Sequence, residues 1–149
     1  MATINKFILV TLICNLLIIV GIGHGAAPLV LVEPKFLTET LSGETSFSLF
    51  GGYSTRLPAC ALISLVGQSI MLIALFISRP LKFYLTWLGL SFLYFALLVL
   101  TFGFVPGEAD ILSLLFASPF LYASVRLIVF LIRNRTMLKK ETTAANTRF

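Results

Sequence analysis

Few side chains in this sequence could do chemistry, and they are far apart. His24 is the single histidine; it stands in residues 21–34, GIGHGAAPLVLVEP. Cys14 and Cys60 form no Cys-x-x-Cys pair, which argues against thiol–disulfide exchange. A hydrolytic triad needs a histidine oriented by a carboxylate, and a metal centre or bis-histidine haem needs several ligands. One histidine meets none of these demands within the chain. No catalytic residue, metal site or cofactor is expected.

What remains is a set of polar residues embedded in apolar sequence: Asn15, Gln68, Tyr94, Tyr122 and Arg126. In lipid such residues are costly, which makes each a candidate for function. Helical spacing sorts them into stripes. Thr11 and Asn15 share a face, as do Ser64 and Gln68, and Ser118, Tyr122, Arg126 and Arg133 form a third line. All three stripes are expected to face inward and to join through interhelical hydrogen bonds, each worth about 0.6 kcal/mol. Arg126 is the sharpest of them. It lies seven residues from Arg133, about 10 Å of helix, and a charge at such depth costs on the order of 2.5–3.5 kcal/mol at the bilayer centre. The apolar runs contain no Asp or Glu, so three solutions stand open. The guanidinium snorkels to inner phosphates, it bonds to Tyr, Gln or carbonyl groups, or a partner subunit or ligand supplies a carboxylate.

The elements that must position these residues follow from composition. The 149-residue chain is 58% hydrophobic and 11% charged, with a mean hydropathy of +1.03. That balance suits a chain solvated by lipid. Apolar runs cover residues 7–27, 58–78, 83–105 and 111–132, each long enough as a helix to cross a core of roughly 30 Å. They lack the period-2 alternation of barrel strands, and helices satisfy their own backbone in lipid. The expected fold is therefore all-α: a polytopic four-transmembrane-helix bundle forming a single domain. The first run is expected to be retained rather than cleaved as a signal peptide.

Charge sets the orientation. Lys6, Arg79, Lys82, Arg133, Arg135, Lys139, Lys140 and Arg148 flank one side, while Glu33, Glu39, Glu44, Glu108 and Asp110 lie in the first and third loops. The positive-inside rule then places both termini in the cytoplasm. The net charge of +5 reads as topology and contact with anionic lipid rather than as a nucleic-acid footprint. Tyr84 and Trp87 fit an interfacial belt. Residues 78–82 and 105–110 are short connections, so the helices they join should be antiparallel neighbours. The outer loop, 33–57, is long and carries apolar groups, as a lid or surface-lying segment would. Pro119 is expected to kink the fourth helix.

For His24 the topology offers a bland role. It falls near the outer boundary, nine residues from Asn15 and hence on the opposite helical face. Gly21 and Gly25 offer close approach to a second helix. The expected function is that of a non-enzymatic integral membrane protein of the plasma membrane, a bacterial inner membrane for instance. It would serve as an accessory or assembly subunit of a larger membrane complex, with lipids and other membrane subunits as partners. The alternative is a small carrier for a lipid-like or apolar ligand, its pocket lined by Gln68, Tyr94, Tyr122 and Arg126. A third reading is an outer-face enzyme using His24 and Glu33 on a lipid headgroup.

Overall fold

The computed structural model describes residues 2–22, 25–43, 48–49, 52–77, 81–101 and 108–146. The chain is mostly helical, as expected. Its elements are α1 (Ala2–Leu16), β1 (Ile19–Ile22), β2 (Gly25–Pro28), α2 (Leu29–Leu41), α3 (Tyr53–Phe76), α4 (Leu81–Thr101), α5 (Glu108–Phe116) and α6 (Ser118–Asn146). Two of them, α3 and α4, are long and apolar enough to cross a membrane.

These two helices form the central hairpin, packed closely along their length. The close approach comes from Gly67 on α3 and Gly89 on α4: a Cβ on Gly67 would stand 3.0 Å from both the Gly89 carbonyl oxygen and Phe92 Cβ. Each helix also caps the other. The last carbonyls of a helix lack intrahelical donors and carry partial negative charge. Arg56, in the first turn of α3, donates Nη1 to the carbonyls of Val99 at 2.9 Å and Leu100 at 3.0 Å, in the last turn of α4. Lys82, at the start of α4, donates Nζ to the Leu75 carbonyl at 3.2 Å, in the last turn of α3, and to Asn5 Oδ1 at 2.9 Å on α1. Both cations are buried. Arg56, within the stretch expected to be the outer loop, lies instead in the first turn of α3, and Lys82 stands at the opposite end of the α3–α4 hairpin; each caps the neighbouring helix.

The apolar run 7–27 is not one helix. It ends as α1 at Leu16 and continues as an antiparallel hairpin that pairs Ile19 with Pro28 and Ile22 with Gly25. The reason lies in its composition. Ile18, Ile19 and Val20 are β-branched, and glycines at 21, 23 and 25 have poor helix propensity. A lone two-stranded ribbon is marginal, so this one is anchored. Ile18 and Val20 are buried, Leu29 N–H donates to the Ile18 carbonyl at 2.8 Å, and Gly21 N–H donates to the Tyr53 hydroxyl at 3.0 Å. Tyr53 Oη in turn bonds Ser113 Oγ at 2.9 Å, tying α3, β1 and α5 together. Gly21 and Gly25 therefore serve strand pairing and not helix packing. His24 and Gly23 lie outside the described residues.

The outer loop shrinks as well. Residues 29–41 are helix α2, carrying Pro34 within it, and α3 begins at Tyr53. Leu29, Val32 and Phe36 are buried against the core, so α2 is a packed element rather than a surface strap. The fourth run also divides. α5 ends at Phe116, Ala117 makes the turn, and Pro119 is the second residue of α6, where its fixed φ and missing N–H suit a helix start. A break at Ala117 thus replaces the expected kink. α1 packs on α6, with Phe7 and Phe130 ring centroids 5.1 Å apart.

Candidate functional site

Two of the three expected polar stripes turn inward and meet. Asn15 from α1 and Ser64 and Gln68 from α3 are all buried. Ser64 Oγ donates to Asn15 Oδ1 at 3.1 Å. Gln68 Nε2 faces Asn15 Oδ1 at 2.9 Å and Ser64 Oγ at 3.0 Å. Helical spacing made these pairings legible, since each pair sits four residues apart on one face. Thr11, also buried, bonds back to the Phe7 carbonyl at 2.8 Å instead of joining the cluster.

A fourth member was not expected. Glu33, on α2, is only 4% exposed, and its Oε1 accepts from Gln68 Nε2 at 2.8 Å. Gln68 lies about 22 Å of rise from the start of α3 and about 12 Å from its end, so this carboxylate reaches the interior of a membrane-length helix. The apolar runs indeed contain no acid, but the inference that no acid is embedded among them fails, because α2 brings one in from outside them. No ion pair to Glu33 occurs among the described residues; the pair on α2 is Lys35–Glu39 at 3.6 Å. Burial pushes the Glu33 carboxyl up to about 7, against hydrogen bonds from Ser64 and Gln68 that favour its charged form.

The third stripe faces the other way. Ser118, Tyr122 and Arg126 are exposed, Tyr122 at 64%. Arg126 Nη2 donates to Tyr122 Oη at 2.6 Å, and its Cζ stands 5.1 Å from the Tyr122 ring centroid. The guanidinium therefore lies one turn toward the N-terminus of α6, away from the basic tail. Around it the exposed surface of α6 is apolar, with Val125, Val129 and Ile132 outward. The inward expectation failed because the face of α6 that packs inward is the one carrying Ser124, Leu127 and Leu131, and polarity alone does not orient a mostly apolar helix.

Tyr94 belongs to neither group. Ser124 Oγ donates to the Leu121 carbonyl at 2.9 Å, which leaves it to accept from Tyr94 Oη at 2.7 Å. The four residues proposed to line one pocket thus divide into three places: Gln68 in the buried cluster, Tyr94 at the α4–α6 contact, and Tyr122 with Arg126 on the outer face of α6. Cys14 and Cys60 are both free thiols, and no His/Cys/Asp/Glu group able to hold a metal occurs among the described residues.

No protein-family model, curated protein or solved structure matches this chain.

Proposed function

We propose that this chain is a multi-pass membrane protein without catalytic chemistry of its own, acting as an accessory or assembly subunit of a larger membrane complex. In this reading α3 and α4 each cross the bilayer as one helix. The other two crossings are composite: α1 with its hairpin, and α5 with α6. A 15-residue helix such as α1 rises about 22 Å, short of a core of roughly 30 Å. Non-helical backbone is tolerated at membrane depth only where protein covers it. The strand pairing, the Tyr53 hydroxyl and the burial of Ile18 and Val20 supply that cover.

The observation that carries the subunit reading is the Arg126–Tyr122 pair on the outward apolar face of α6. Snorkelling to inner phosphates would draw the guanidinium toward the C-terminal end of the helix, yet its bond to Tyr122 holds it in the opposite direction. A cation so placed is best met by a carboxylate on a neighbouring subunit's helix, since an arginine fork pairs well with a carboxylate in a low-dielectric setting.

Purification from native membranes in mild detergent tests this. The expected result is a heteromeric assembly that Arg126→Leu dissolves and Arg126→Lys retains in part. A wild-type chain that elutes as a lone monomer overturns it.

A further inference from the structure

The buried cluster holds one formal negative charge and no cation. Its members come from three elements, α1, α2 and α3, and each is at least nine-tenths buried. Neutral donors alone stabilise a buried carboxylate poorly, and such a group ordinarily recruits a counter-charge or a proton. Among the described residues no ion pair reaches Glu33. α2 packs on α1, α3 and β2. The other titratable or charged groups of those elements and of α2 itself are Lys6 and Cys14 on α1, Tyr53, Arg56 and Cys60 on α3, and Lys35 and Glu39 on α2. Lys6 is exposed, Arg56 is engaged with the α4 carbonyls, Lys35 is paired with Glu39, and Cys60 is a buried thiol.

What neutralises the carboxylate can be read from the cluster's centre. Asn15 Oδ1, Ser64 Oγ and Glu33 Oε1 stand at 2.9, 3.0 and 2.8 Å from a single atom, Gln68 Nε2. That nitrogen fills the point a metal ion would need if it were to be shared by the three oxygens. A proton needs no such space, because it binds on a carboxyl oxygen.

We propose that Glu33 is a proton-binding site, held as the neutral acid by the docking of α2 on α3. Docking removes the carboxyl from water, where it would ionise, and places it among neutral donors alone. The site is independent of Arg126, which is on a different face and a different helix, so it stands whether or not α6 holds a partner.

Infrared spectroscopy of the full chain in lipid nanodiscs tests the proposal through the carbonyl stretch of a protonated carboxyl. The expected result is one band that disappears in a single-proton step near neutral pH and is missing in Glu33→Gln. Gln68→Leu removes a donor to the charged form and moves the midpoint of that step upward by about one pH unit, a readout that holds even if Glu33→Gln does not fold. Replacing choline chloride with sodium chloride leaves the midpoint unchanged. A carboxyl ionised throughout the range from about pH 5 to pH 9 overturns the assignment. So does a band that persists in Glu33→Gln, or a midpoint that moves with sodium.

Discussion

Glu33 is the side chain whose surroundings differ most from those of its type. An isolated carboxyl of its kind titrates at 4.5, and here burial pushes it up to about 7. The folded chain therefore holds this proton more tightly than the unfolded chain does. Stability is greatest below about 4.5, falls as the pH rises toward about 7, and levels off above it. Thermal melts in detergent should show the melting temperature declining across that window, and Glu33→Gln, which keeps shape and removes the charge, should flatten the decline. An unchanged slope in the variant would mean that other groups produce it. The residue escaped sequence reading for a physical reason. It follows an apolar run that was expected to be one helix, and its burial depends on a chain reversal at residues 19–28 that brings α2 back against α3. Asn15, Ser64 and Gln68 were legible because four-residue spacing survives whatever the tertiary arrangement. Arg126 and Tyr122 were correctly paired by the same spacing and wrongly faced, since in lipid an apolar surface marks no particular side of a helix.

At the level of elements, the α3–α4 hairpin was foreseeable and its manner of packing was not. Two apolar runs joined by residues 78–82 predict antiparallel neighbours. The small residues singled out in the sequence, Gly21 and Gly25, instead lie in strands, while Gly67 and Gly89 make the close helix contact. Local propensity decides this: three glycines and four β-branched residues within the eight positions 18–25 cannot sustain a helix, whereas isolated glycines in α3 and α4 can be carried by their neighbours. Gly67→Ala sets two effects against each other. Alanine is favoured over glycine in a helix by about 1 kcal/mol, and overpacking a tight contact costs about 1–3 kcal/mol. A Cβ there would meet the Gly89 carbonyl and Phe92 Cβ at 3.0 Å, backbone and stem atoms with little room to yield, so the cost prevails. Gly67→Ala is expected to lower the melting temperature, and Gly67→Val to lower it further. Gly52→Ala, at a position open to 4 Å, should leave it nearly unchanged. A stabilised Gly67→Ala would show that the two helices separate easily.

Across the whole molecule, burial of Arg56 and Lys82 changes the charge arithmetic that orients the chain. The positive-inside rule counts basic residues flanking the spans, and these two are consumed as helix caps at opposite ends of the hairpin, one on each side. Removing both leaves Lys6, Arg79, Arg133, Arg135, Lys139, Lys140 and Arg148 facing Lys35 alone, and Lys35 is paired with Glu39. The bias thus survives, because one basic residue is set aside from each side and the excess stays the same. Cytoplasmic termini with the segment after α2 outside remain the expected arrangement. Lys6 and Ser42 are both exposed and report opposite sides in this topology. In a background with Cys14 and Cys60 replaced by alanine, a membrane-impermeant maleimide applied to intact cells should label Ser42→Cys and spare Lys6→Cys until the membrane is opened. Equal labelling of both positions in intact cells would mean that α1, its hairpin and α2 form a re-entrant unit that returns to the side it left. That result would reduce the crossings contributed by the first 42 residues from one to none, while leaving the Glu33 cluster and the α3–α4 hairpin as they are. The reverse pattern, Lys6→Cys labelled and Ser42→Cys spared, would invert the orientation and place the basic tail outside, against the charge bias.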